Sequence, residues 1–217
     1  MKKLTILTAM VILTFSTLNA TIINVPGDAW SIQNGIDIAN DGDTVLVYPD
    51  TYYENVNLNK NVVVGSLLLT TEDTSYIEQT IIDGFQNSCV VDISSSSTFI
   101  GFKLINGSYY SGDAWAGGGG IKCTADATIT HVRISNCNAL YGGAIAIYTS
   151  SPTLSDIIIS NNGIGDVCSY SLFLNGNNPN THYPTLTNVV IENNNDCSGS
   201  ILMKNYIVPT FYNTIIN

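Results

Sequence analysis

The apolar positions of the chain repeat in a fixed pattern that restarts at a threonine. The segments "TFIGFKLIN", "TITHVRISN", "TLSDIIISN", "TLTNVVIEN" and "TFYNTIIN" begin at Thr98, Thr128, Thr153, Thr185 and Thr210. Their spacings are 30, 25, 32 and 25 residues, the period range of stacked-coil solenoids. The second, fifth and seventh places are apolar: Phe99, Phe102, Leu104; Ile129, Val132, Ile134; Leu154, Ile157, Ile159; Leu186, Val189, Ile191. The step from fifth to seventh place has the period of two of a strand, not the 3.6 of a helix. The pattern predicts strands with these side chains facing inward and the intervening ones facing out.

A second strand is expected later in each coil, at "GGGI" (118–121), "GGAIAI" (142–147), "SYSLFL" (169–174) and "SGSILM" (198–203). Glycines such as Gly142 and Gly143 allow the backbone to bend into the next sheet. Pro152, Pro184 and Pro209 precede a repeat threonine and close the coil with a rigid turn. Asn106, Asn136, Asn161 and Asn193 stand at the ninth place. Asparagine satisfies its own backbone at a turn, and a column of them is expected to pass amide hydrogen bonds from coil to coil. The stretches "GSYYSGDAWAG" and "NGNNPNTHYP" read as insertions at turns. A coil that cannot bury its own apolar face does so by stacking, so the fold class predicted is an all-β parallel solenoid.

The front end differs. In "DAWSIQNGIDIAND" the residues Trp30, Ile32, Ile36 and Ala39 lie near helical spacing, which predicts a short helix plugging the open end of the stack. The domain reading is a signal peptide over 1–20, a cap helix and lead-in over 21–43, and the β-helix over 44–217. The last coil stops at "TFYNTIIN" without its second strand, which suggests a truncated C-terminus or a further domain or chain. The signal peptide rests on Lys2 and Lys3, a short apolar run and a small residue at Ala20. It predicts a secreted or outer-surface bacterial protein with no transmembrane segment after cleavage.

Composition narrows the partners. Apolar residues make up 45% and charged residues 11% of the 217 residues, which argues against disorder. Seven bases stand against 17 acids, a net charge of −10. Cleavage after Ala20 would leave five bases and a charge near −12. Nucleic acid is excluded as a partner, because phosphate binding needs a basic surface. The five cysteines include no CxxC pair, so no metal is expected from them. Alignment of the second strands places Cys168 and Cys197 side by side, within disulfide reach, as a bridge or as an unbridged stack. Cys123 aligns with Ile147 and Leu174 and is expected to face inward.

These repeats resemble the right-handed parallel β-helix of the pectin-lyase-like superfamily. "GGAI" at 142–145, taken with "ISNN", also resembles the repeats of bacterial polymorphic outer-membrane proteins, although their phenylalanine is replaced here by Ile158 or Val190. The resemblance implies a fold that hosts lyases, hydrolases, esterases and adhesins. Its lyases use calcium held by acids with an arginine or lysine as base. Its hydrolases cluster aspartates with a histidine, and its esterases use an aspartate pair, an arginine and glutamines. None of these dense clusters is visible in the sequence.

The repeat itself gathers one constellation. Outward places of adjacent coils stack about 4.8 Å apart, which sets Lys103 beside Arg133 and His131 beside Asp156. A base, a cation and a carboxylate on one patch suit proton abstraction or binding of an acidic sugar. A second candidate is aromatic: Tyr109, Tyr110 and Trp115 offer flat faces for a sugar ring. His182 reads as a loop histidine, and Asp41 and Asp43 as turn residues that end the cap helix. Two functions follow. The first is a non-catalytic β-helix for carbohydrate binding, adhesion or envelope scaffolding, with a polysaccharide or cell-surface glycan as partner and no cofactor. The alternative is a polysaccharide lyase or hydrolase, with calcium as cofactor in the lyase case.

Overall fold

The computed structural model describes residues 20–109, 117–163, 170–176, 180–196 and 199–217. The signal-peptide segment before Ala20 lies outside the described residues, and so do Tyr110, Trp115, Cys168 and Cys197.

The chain is an all-β parallel β-helix. Coils stack on three faces, and every strand pairing among the described residues is parallel. The first face runs from Ile22–Val25 through Thr44–Val47, Val63–Ser66, Thr98–Ile100 and Thr128–Thr130. It then takes the first half of Thr153–Ser160 and of Thr185–Glu192, and ends on Thr210–Tyr212. The second face carries Asp50–Tyr53, Thr80–Asp83, Lys103–Ile105 and Arg133–Ser135, then the second halves of the same two long strands. The third face stacks Val56–Leu58, Val91–Ile93, Ile121–Cys123, Ile145–Tyr148, Leu172–Asn175 and Ile201–Lys204.

The threonine register of the sequence is the register of the first face: Thr98, Thr128, Thr153, Thr185 and Thr210 pair in turn. Ile121, Ile145, Leu172 and Ile201 likewise align on the third face. The apolar residues at places two, five and seven are buried in the repeats that start at Thr98, Thr128, Thr153 and Thr185, whereas Phe211 and Ile216 of the last repeat are exposed. Each buried one contributes about 1.5–3 kcal/mol relative to exposure. Phe99 and Phe102 stack inside, with ring centroids 4.6 Å apart. Cys123 is buried in register with Ile147, and burial pushes its thiol up to about 11. Pro152 and Pro184 carry carbonyls that accept from Thr185 and Thr210.

Two columns of left-handed residues turn the corners. At the ninth place, Asn106, Asn136, Asn161 and Asn193 have φ of 54–57°. At the fourth place, between the first and second faces, Gly101, His131, Asp156, Asn188 and Asn213 have φ of 47–88°. These residue types tolerate that conformation best. The expected amide ladder is displaced by one residue. Asn161 and Asn193 connect through backbone, Asn161 N–H donating to Asn193 O at 3.2 Å. The amide ladder runs at the tenth place, because a tenth-place side chain turns inward. Asn162, only 2% exposed, accepts from Cys137 N–H at 3.0 Å and donates to Ile134 O and Asn194 Oδ1, both at 3.0 Å. Gly142 has φ +63°, and a Cβ there would run into the Ile145 carbonyl. Gly143 donates to Tyr170 O at 2.6 Å.

The front end carries three short helices: α1 (Ile32–Ile38), α2 (Leu68–Thr71) and α3 (Ser75–Gln79). Helix α1 is capped by Ser31, whose hydroxyl accepts from Asn34 N–H at 3.1 Å. Ile32 and Ile36 are buried, and Gly35 packs against Val45 and Val25. Two expectations change here. Trp30 precedes the helix and is 81% exposed, because Ser31 starts the helix after it. The first parallel strand is Ile22–Val25, so the stack begins ahead of residue 44. Asp43 closes the turn after α1, accepting from Thr21 and Asn40 N–H at 2.7 and 2.8 Å. Helices α2 and α3, which the repeat pattern does not foretell, are inserted at the fourth-place corner and lie beside the second face. No helix among the described residues is long and apolar enough to cross a membrane.

Candidate functional site

Lys103, His131, Arg133 and Asp156 do meet. Arg133 and Lys103 are register partners, and His131 Nδ1 lies 3.9 Å from Asp156 Oδ2. Each is engaged by a structural neighbour. Lys103 Nζ reaches Glu78 Oε2 on α3 at 2.7 Å. Arg133 donates to the backbone carbonyl of Asp156 at 3.0 Å, not to its carboxylate. His131 Nδ1 lies 2.8 Å from Thr130 Oγ1, which accepts from Ser155 Oγ at 2.7 Å. Asp156 Oδ1 accepts from Asn188, and Asn188 Oδ1 from Asn213, at 3.0 and 2.7 Å. The face is a ladder along the solenoid axis. His131 and Asp156 hold fourth places, so the left-handed corner already accounts for those residue types.

Calcium does not fit this face. Its carboxylates are paired with Lys103 or bound by an amide, whereas calcium takes six or more oxygens. Among the described residues no three His, Cys, Asp or Glu side chains converge on one point.

Tyr109 sits on the two-residue strand Ser108–Tyr109, paired with Asn138–Ala139 outside the main stack. It edges a groove of about 290 Å³ with Asn55, Asn57, Ser88 and Asp92. Lys122 Nζ lies 5.9 Å from its ring centroid and 2.8 Å from Asp92 Oδ2. Burial alone would pull the Lys122 ammonium down, but the hydrogen bond and charge of Asp92 outweigh it and hold it above its ordinary value. Lys122, beside this groove, is therefore already paired with Asp92.

A larger cleft, about 550 Å³, opens at the front end. Pro26, Trp30, Ser31 and Gln33 form one wall and 50–55 the other. The walls are tied together. Glu54 accepts from Ile32 and Gln33 N–H through its two oxygens, both at 2.9 Å. Tyr52 is buried beneath, its hydroxyl donating to Tyr48 O at 2.9 Å with Val25 O at 3.1 Å. Burial first, then the charges of Asp50 and Glu54, push this phenol up to about 12. It stays a neutral donor at any ordinary pH.

Similarity to known proteins is confined to chain path. Pectin methylesterase PemA from Erwinia chrysanthemi is 12% identical, over 90% of this chain and 81% of that one, at a TM-score of 0.49. A pectin methylesterase variant in complex with a hexasaccharide is 13% identical over the same shares, at 0.43. A putative glycosyl hydrolase from Parabacteroides merdae is 10% identical over 80% and 77%, at 0.37. No protein-family model matches the chain and no curated protein does. Identities this low carry no residue role across.

The front cleft was not found from the repeat. Helical spacing groups Trp30 with Ile32 and Ile36, and no repeat position marks Tyr52 or Tyr53. Strand alternation was the available signal: it sends Tyr52 inward and leaves Tyr53 63% exposed.

Proposed function

We propose that this chain is an exported, non-catalytic β-helix that binds carbohydrate, in adhesion or as an envelope scaffold. The observation that carries it is the state of the second face. Of the four side chains that gather there, Lys103 is tied to α3 and Arg133 and Asp156 to a neighbouring coil, while His131 bonds Thr130 beside it on the same coil. Proton transfer needs a base free to reach substrate, and the two clefts described open elsewhere. Those clefts are edged by tyrosine, tryptophan, amides and carboxylates, which is a sugar-binding composition. Membership of the pectin-lyase-like superfamily, a likeness to polymorphic outer-membrane repeats and secretion to the outer surface all belong to the same reading. Each rests on the repeat motifs and the N-terminal apolar run.

The lyase alternative draws on the 3.9 Å approach of His131 to Asp156 beside Arg133. The two readings separate in one assay. The protein is incubated with polyuronates and calcium while ultraviolet absorbance follows unsaturated uronides, with alkali uptake in parallel for ester hydrolysis. The expected result is no product, with polysaccharide retarding the protein in affinity electrophoresis. Product that disappears in Arg133→Ala would establish catalysis and displace the binding reading.

A further inference from the structure

The front cleft and the turn beside it carry aromatic side chains that the fold leaves exposed. Trp30 is 81% exposed, Tyr53 63% and Phe85 64%. They come from three separate segments. Trp30 stands just before the cap of α1, Tyr53 ends Asp50–Tyr53, and Phe85 follows Thr80–Asp83 on the next coil. Tyr53 and Phe85 lie with ring centroids 5.0 Å apart at 50°, while Trp30 and Tyr53 edge the same cleft.

The backbone at Phe85 is the second observation. Phe85 has φ +54°, a conformation that other corners of the molecule give mostly to glycine, asparagine or aspartate. A bulky residue there is strained, and strain of this kind clusters at ligand-binding sites. Asp83 holds the turn, its Oδ1 accepting from Phe85 N–H at 3.0 Å. The turn presents the ring to solvent beside Tyr53 and leaves it 64% exposed. Exposed aromatic clusters mark binding surfaces more than folding ones.

Charge selects the ligand class. The cleft lining contains two carboxylates, Asp50 and Glu54, and no lysine or arginine. Glu54 is occupied by the two N–H groups of α1. A uronate would bring an anion beside these acids with no cation to meet it. An uncharged pyranose fits instead. Its apolar C–H face stacks on an indole or phenol, and its hydroxyls donate to oxygens such as those of Asp50 and Asn55. The rigid ties through Glu54 and Tyr52 hold the walls in place before a ligand arrives.

We propose that Trp30, Tyr53 and Phe85 form a stacking platform for an uncharged oligosaccharide, with Asp50 and Asn55 accepting from its hydroxyls. This names the ligand class and the site within the carbohydrate-binding reading, and it rests on that reading. The platform lies at the front end, where the second-face strands Asp50–Tyr53 and Thr80–Asp83 end.

Isothermal titration calorimetry with four probes decides it: cellohexaose and mannohexaose (uncharged), hexagalacturonate (anionic) and the chitosan hexamer (cationic). They are titrated into wild type, Trp30→Ala and Tyr53→Ala. Thermal unfolding should match wild type in both variants, because both rings are mostly exposed. At least one uncharged hexamer is expected to bind, and each variant to weaken it by roughly tenfold or more. Uncharged binding that both variants leave unchanged overturns this site and leaves the carbohydrate reading standing. Binding of hexagalacturonate or the chitosan hexamer alone overturns the uncharged class. No binding to any probe overturns both the site and the reading it rests on.

Discussion

The regular coils from Thr98 onward and the irregular front end use their outward side chains in opposite ways. In the regular coils the fourth-place polar groups meet counterparts one coil away. Asp156 takes Asn188, Asn188 takes Asn213, and Arg133 takes the Asp156 carbonyl. At the front the periodicity is broken by α1, α2, α3 and the Phe85 turn, and Trp30 and Tyr53 edge a cleft; Tyr183, Tyr206 and Tyr212 are exposed at the other end as well. Strict repetition satisfies the fourth-place groups pairwise. A concave site arises where the repeat is interrupted. The residues that looked chemical, His131 and Asp156, sit in the regular part, and their corner conformation explains them. The residues free to act sit where the pattern gives no guidance.

The sharpest test of this contrast is Asn162→Ala. The substitution strands Cys137 N–H in a buried column and removes the amide bonds to Ile134 O and Asn194. We expect a loss of about 3 kcal/mol in urea unfolding, since a stranded buried group costs about 1–3 kcal/mol and each lost hydrogen bond about 1 kcal/mol. A loss below about 1 kcal/mol would mean that the tenth-place column does not hold the regular coils together.

A smaller effect is expected at the fourth place. Asn188→Ala removes the bond to Asp156 and forces alanine into φ +54°. We expect a loss of about 1.5 kcal/mol, because the left-handed conformation alone costs a non-glycine residue about 1 kcal/mol. Asn188→Gly keeps the corner and should recover most of that loss. Equal losses in the two variants would assign the column to side-chain bonding and not to backbone shape.

The smallest effect should come from the tie between the inserted helices and the regular stack. Lys103 and Glu78 are both partly exposed. A double-mutant cycle should give a coupling of about 0.5 kcal/mol that fades in high salt. A coupling above about 2 kcal/mol, insensitive to salt, would make α3 an integral part of the second face.

The sequence by itself determined the solenoid. Threonine register, inward places two, five and seven, and third-face alignment are all readable. They follow from a period of two within strands and a coil-length period between them, and stacking obliges every coil to obey the same rule. The fourth-place column of Gly101, His131, Asp156, Asn188 and Asn213 was also there to be read. The only property common to these residue types is tolerance of left-handed backbone. What lay between places nine and ten needed the structure, since one residue decides whether an amide faces solvent or the interior. Strand alternation turns Tyr53 outward, but the meeting of its ring with Trp30 and Phe85 at the front cleft was decided by tertiary structure. Trp30, Tyr53 and Phe85 are 23 and 32 residues apart along the chain, at no shared repeat position, and only the winding of the first coils sets their rings along one surface.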